Sequence, residues 1–256
     1  MIDFDFSKEK NCWRVKEVEN LDELAAVLHL RFLIYSKLNL IEFNQIKSSI
    51  LYRDFLSLLK LYGKDYFNGE YELDIHDRWY QFLPYFSGKK FSRLFMALKE
   101  DNGGKLNLEG RIYDVAGTER HVISDYKSAN PIGLPIEPDY DMASERINNN
   151  ALSEVGRLVK KDGEDGSFIQ ALHRCIFQSS LDVKIPDLYC SSPIALKSFY
   201  EAIGFKVIGG PFKYKKLGGG NWLALHMNFD NLQRDVNENI NLPKIDEVKY
   251  FLTSLY

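Results

Sequence analysis

Ser192-Pro193-Ile194-Ala195-Leu196-Lys197-Ser198-Phe199-Tyr200-Glu201-Ala202-Ile203-Gly204-Phe205-Lys206-Val207-Ile208 is the stretch on which the fold turns. Leu196, Phe199 and Ile203 fall at i, i+3 and i+7, the apolar stripe of a short helix. Pro193 suits the first helical turn, whose N–H groups have no intrahelical partner anyway, and Gly204 suits the left-handed cap that stops a helix. Phe205 to Ile208 then reads as a new strand. A helix, a glycine stop and a strand in this order close an α/β chain, and they present one phenol, Tyr200.

Working outward, Trp222 to Phe229 reads as a last strand, and Asp187 to Cys190 as a short strand before the helix. Upstream, Leu152 to Val159 is a strand candidate, followed by Lys160-Lys161-Asp162-Gly163-Glu164-Asp165-Gly166 and a helix from about Ser167 to Leu181. That helix takes Ser167 as its cap and Ile169, Leu172 and Ile176 as its buried stripe. At the other end of the chain, Trp13 to Val18 alternates like a strand, and Leu21, Leu24, Ala25, Leu28, Phe32 and Tyr35 trace a helical face with Asn20 as cap. Residues 36–70 read as a helical insertion. Phe91 to Leu98 and Lys105 to Tyr113 flank Asp101-Asn102-Gly103-Gly104, so they predict an antiparallel hairpin. Pro131, Pro135 and Pro138 make Asp114 to Asn150 a loop-rich segment suited to walling a site. The expected architecture is one α/β domain over residues 1–230, a mixed sheet with helices on both faces, and an extension over 231–256 with an amphipathic helix from near Pro243.

Composition narrows the function. The 256 residues carry 33 Lys and Arg against 36 Asp and Glu, so a formal charge of −3 gives the whole chain no electrostatic reason to seek nucleic acid. Cys12, Cys175 and Cys190 are odd in number, far apart and without metal-ligand spacing, which points to reduced thiols packed in a core. The acidic N-terminal stretch is unlike a signal peptide, and no uncharged run reaches membrane-spanning length. The expectation is a cytoplasmic protein without a stable membrane anchor or a resident metal.

The residues that suggest chemistry come as an ordered set. Arg31 and Tyr35 lie four apart on the first helix; Glu72, Asp74 and Asp77 cluster; Arg111 ends the hairpin strand; Glu154 and Arg157 lie three apart on the later strand. A zwitterionic acceptor has an ammonium that Glu72, Asp74 or Asp77 can hold and a carboxylate that Arg31, Arg111 or Arg157 can grip. The rival reading of the same charges is a structural salt-bridge network. Gly163 and Gly166, between a strand and a helix start, mark a place where backbone N–H groups favour a phosphate, although Glu164 and Asp165 put acids in the same loop.

Tyr200 in its Phe-Tyr-Glu-x-x-Gly-Phe setting resembles the last helix-to-strand turn of the GCN5-related N-acyltransferase (GNAT) superfamily. The ordered set from Arg31 to Arg157 resembles the signatures of the acyl-homoserine lactone autoinducer synthases and of their relatives, the N-acyl amino acid synthases. The Leu134-Pro135-Ile136-Glu137 loop and the length favour the second group. The resemblance implies a GNAT-like, mostly antiparallel mixed sheet, and an N-acyltransferase moving a medium or long acyl chain to the amine of an amino acid or similar acceptor. The donor it implies is a pantetheine thioester, acyl-carrier protein or acyl-CoA, with no permanently bound cofactor. Glu154 becomes the candidate base, Tyr200 the candidate proton donor to the thiolate, and Arg157 an orienting group. Leu158, Val159, Gly163, Gly166 and Ser167 become the donor-binding backbone, and Lys160, Lys161, Arg174, Lys213, Lys215 and Lys216 a basic surface for an acidic carrier protein. An acyl-homoserine lactone synthase, an acetyl-CoA-dependent N-acetyltransferase and a non-catalytic acyl or amino-acid sensor remain the alternatives.

Overall fold

The computed structural model describes residues 3–8, 11–38, 40, 92–99, 113–124, 126, 133–148, 151–214 and 220–238. The chain divides into two compact units, Met1–Arg120 with Arg157–Cys175 and His121–Gly156 with Ile176–Tyr256. The divisions fall inside two strands and a helix rather than in linkers.

In the first unit the strands run in the order β1-β2-β3-β4-β5. β1 (Asp3–Lys8) and β2 (Asn11–Glu17) form an antiparallel hairpin, and β2 pairs antiparallel with β3 (Ser92–Lys99), Trp13 opposite Lys99. The period of two is visible in β2: Trp13 and Val15 are fully buried while Arg14 between them is exposed. The Trp13 indole N–H donates to Ser167 Oγ at 2.9 Å, and its ring meets Phe168 edge-on at 5.2 Å. α1 (Leu21–Lys37) starts on Asn20, whose Oδ1 accepts the Glu23 N–H at 2.9 Å, as an N-cap does. Of the residues expected on its inner face Leu24, Leu28 and Tyr35 are buried, and Val27 and Arg31 are buried as well.

β4 (Val115–Ile123) and β5 (Ser153–Lys160) run through both units. Lys161 N–H donates to Ala116 O at 2.7 Å near one end of this pair and Ser124 N–H to Leu152 O at 2.9 Å near the other, so the two strands are antiparallel. Gly117 is required where it stands: a Cβ there would run into the Phe168 ring and lie 2.9 Å from Val159 O.

In the second unit the order is β4-β5-β6-β8-β7. β5 pairs with β6 (Asp187–Pro193) in parallel, but only over Ser153–Val155 against Leu188–Cys190, whereas β6 pairs antiparallel with β8 (Asn221–Asn228) along its whole length. β7 (Lys206–Lys213) is the terminal strand, antiparallel to β8 with two register shifts. The sheet is therefore mixed and mostly antiparallel, as expected.

The structure moves several predicted boundaries. The loop expected from Asp114 onward begins with strand β4, because Glu119, Arg120 and His121 interrupt its apolar pattern although all three are buried. Pro193 ends β6 instead of opening a helix; a 3-10 turn (Ile194–Leu196) precedes the helix, here α4 (Lys197–Ala202). Leu196, expected on the buried stripe, is 41% exposed, and Tyr200 is buried in its place. Gly204 does adopt the left-handed backbone, φ 102°, that the stop requires. The helix expected from Ser167 is α3 (Ile169–Val183), and the Ser167 N–H is itself capped by Asp165 Oδ1 at 2.8 Å. α2 (Ala143–Asn148) and α5 (Phe229–Asn237) complete the described helices. Of the insertion expected over 36–70, residues 36–37 belong to α1, while 41–70, the 105–112 part of the expected hairpin and the tail helix expected from near Pro243 lie outside the described residues.

Candidate active site

Glu154 sits on β5 in the second unit, 2% exposed. A carboxylate needs partners to survive such burial, and the described residues supply two donors. Ile136 N–H donates to Oε2 at 2.9 Å and the Ser191 hydroxyl donates to Oε1 at 3.2 Å. The first donor comes from the Leu134-Pro135-Ile136-Glu137 loop, which folds around its own acid: Glu137 accepts from Leu134 N–H at 2.8 Å, from the Tyr126 phenol, and pairs with Arg146. The second comes from β6, two residues beyond Tyr189, the register partner of Glu154.

One face of this unit gathers polar and aromatic groups around that carboxylate. The register aligns Glu154, Tyr189, His226 and Lys206 across β5, β6, β8 and β7. Tyr189 packs with Leu134, Ile136, Met142, Leu152 and Ala224, and its ring lies 4.7 Å from that of His226. Burial, followed by the negative charge of Asp187, pushes the Tyr189 phenol far above its ordinary value, so it stays protonated at any physiological pH. The Tyr126 phenol is raised too, chiefly by burial. Tyr140 donates to Ile208 O at 3.3 Å and lies over Gly209, where a Cβ would strike its ring. Beside the row His226 Nε2 meets Asp187 Oδ1 at 2.8 Å, and Asn228 donates to the same oxygen at 2.9 Å; the His226 bond leads in holding that carboxyl below its ordinary 3.8.

Tyr200, also in the second unit, is 3% exposed, with its ring edge-on to Phe199 at 5.2 Å and to Phe205 at 5.5 Å. These contacts are those of a packed aromatic, and they orient the phenol.

The first unit holds the remaining described candidates. Arg31 is fully buried on α1. Arg157 has φ +59°, a left-handed backbone uncommon for a non-glycine residue and typical of a bulge that re-aims a strand. Its guanidinium lies 5.8 Å from the centroid of the Tyr35 ring, so these two predicted residues do meet. Leu158 and Val159 follow on the same strand. Gly163 and Gly166 both take positive φ, 83° and 82°, as the loop reading requires. The loop also engages itself: Lys160 Nζ donates to Glu164 O at 2.6 Å, and Lys161 pairs with Asp114 at 2.5 Å. Two of the lysines expected to form a basic surface are thus held by local partners. Glu72, Asp74, Asp77 and Arg111 lie outside the described residues. Among the described residues no cluster of His, Cys, Asp and Glu could hold a metal ion.

Sequence reading missed Ser191, the Ile136 N–H and the Tyr189–His226–Asp187 row. The signal was present for Ser191, two positions after the strand residue aligned with Glu154, but only the register reveals it. It also missed the buried pair of the first unit, His173 Nδ1 against Glu119 Oε2 at 2.7 Å.

No protein-family model matches the chain, and no curated protein matches its sequence. Solved structures do. FeeM, an N-acyl amino acid synthase from uncultured soil microbes, is 14% identical, with a TM-score of 0.57 over 85% of this chain and 91% of that one. ElaA of Escherichia coli (12% identical, TM-score 0.46, 84% of this chain and 99% of that one) and the AHL synthase LasI (14%, 0.46, 86% and 91%) are also similar. The FeeM likeness makes this the GNAT fold. No helix of the described residues is long and apolar enough to cross a membrane.

Proposed function

We propose that this chain is an N-acyltransferase that moves a medium or long acyl chain from a pantetheine thioester to the amine of an amino acid or similar small molecule. The observation that carries the reading is Glu154: on a strand of the GNAT fold, a buried carboxylate whose two oxygens accept hydrogen bonds from neutral donors. The amine nitrogen attacks the thioester carbon, a C–N bond forms, and the C–S bond breaks. The ammonium proton passes to Glu154, and the departing thiolate takes the proton of Tyr200, which solvent later replaces. Backbone N–H groups at Leu158 and Val159 face the developing oxyanion, and Arg157, with Arg31, Tyr35 and Arg111, orients the acceptor carboxylate. Glu72, Asp74 and Asp77 hold the ammonium. Gly163, Gly166 and Ser167 line the phosphate of the donor arm.

An acyl-carrier protein is the preferred donor. The loop carries two acids, and the Ser167 N–H already serves Asp165, which suits a single phosphate better than a pyrophosphate. Cells expressing the wild type and Glu154→Gln, compared by untargeted mass spectrometry, test the reading. New N-acyl species with the wild type alone support it and identify both substrates; equal profiles remove Glu154 from the chemistry. Turnover of dodecanoyl-carrier protein at least tenfold above dodecanoyl-CoA, as kcat/KM, is the expected donor preference; the reverse order overturns it.

A further inference from the structure

Glu154 is 2% exposed, and both of its oxygens are already hydrogen-bonded within the second unit. Ser191, which donates to Oε1 at 3.2 Å, is only half-buried. A hydroxyl has one proton to give and two lone pairs to receive with. In giving its proton to Glu154, Ser191 turns its accepting side away from the carboxylate. We infer that Ser191 is a catalytic residue: the amine delivers its proton to Ser191 Oγ while the Ser191 proton moves to Glu154 Oε1. The inference rests on the proposed role of Glu154 as base.

The step balances. The attacking nitrogen loses one proton, the serine oxygen gains it and loses its own, and the carboxylate ends as a carboxylic acid. Ser191 is unchanged, and no oxidant or second nucleophile is involved. Among the described residues, two neighbouring groups bear on this route. Tyr189, on the same face of β6, keeps its phenol proton at physiological pH and cannot receive another. The Ile136 N–H fixes Oε2 from the loop side, so the carboxylate keeps Oε1 turned toward β6. The relay also explains why a base can be sealed from solvent and still be reached.

The test is thiol release at saturating dodecanoyl-carrier protein or dodecanoyl-CoA, with the twenty common amino acids as a mixed acceptor. Wild type, Ser191→Ala, Ser191→Thr, Glu154→Gln and the Ser191→Ala/Glu154→Gln pair are compared after thermal unfolding has shown each to be folded. The expected result is a loss of about 30- to 100-fold in Ser191→Ala at unchanged donor KM, in line with general acid–base contributions. Ser191→Thr, which keeps the hydroxyl, retains activity within about threefold, and the double variant is no slower than Glu154→Gln alone.

A purely positioning serine would give the same losses but move one proton, so the wild type is also assayed in mixtures of H2O and D2O. Two protons in flight give a curved dependence of rate on deuterium content, and a straight line overturns the relay. Ser191→Ala within twofold of wild type, or losses that multiply in the double variant, overturn it while leaving Glu154 as base. Glu154→Gln at wild-type rate overturns the base and the relay together, as does a wild type that releases no thiol from either donor.

Discussion

Two glutamates are buried in this protein on strands that are neighbours in the sheet, and they are held in opposite ways. Glu119, on β4 in the first unit, faces one titratable partner, His173. Glu154, on β5 in the second, is held by a backbone N–H and a serine hydroxyl. A carboxylate facing an imidazole has a partner that can carry the opposite charge, and removing either member strands the other in the core. The described donors to Glu154 are neutral, so they orient its oxygens without placing an opposite charge beside it. Burial is common to the two glutamates; the chemistry of their partners is what separates them.

The comparison can be broken at either glutamate. Glu154→Gln is isosteric and is expected to lower turnover by about 10²- to 10⁴-fold with little change in thermal midpoint. A large stability loss with little rate loss would make Glu154 the structural residue of the two. Glu119→Gln is expected to do the converse. It costs about 3 kcal/mol of stability, read from urea unfolding, while turnover of the folded fraction holds. Next in size is Gly209→Ala. Its Cβ meets the Tyr140 ring, and displacing the loop that carries Ile136 is expected to cost about 1–3 kcal/mol and to slow turnover by loosening Glu154. Unchanged kinetics would show that the loop does not orient the carboxylate.

The smallest effect concerns Asp187. Its carboxyl is held below its ordinary 3.8, so the stabilisation is fully present above that value and fades as pH falls through the lower folded value. About 1 kcal/mol of stability is expected to disappear in acid below that range and to be insensitive to pH in Asp187→Asn, as followed by unfolding midpoints at stepped pH.

The sequence carried the fold where local chemistry is explicit. Asn20 predicted the start of α1, and it does cap Glu23; Gly204 predicted the stop after the last short helix, and it has the backbone angle that a stop needs. β4 was illegible for a physical reason. Glu119 and His121 look like solvent-facing polar residues until α3 supplies His173 to one and Ser179 and Ser180 to the other. Such compensation is tertiary, and no window of local sequence contains it. The candidate site divided along the same line. Glu154 and Tyr200 are proposed from the sequence because their residue types sit in recognisable strings, whereas Ser191 and the Ile136 N–H meet Glu154 only through register and loop path. A backbone donor has no letter in the sequence at all.

β7 closes the sheet of the second unit, and its character bears on how the protein behaves in a crowded solution. A terminal strand offers unpaired backbone to any passing strand, and here Val207 and Ile208 are also 39% and 38% exposed, the ingredients of self-association. The strand answers with exposed Lys206 and Lys213 near its two ends, two breaks in register, and Pro211, which has no N–H to offer a further strand. The same irregularity that lets Tyr140 settle over Gly209 thus makes β7 a poor template for a further strand.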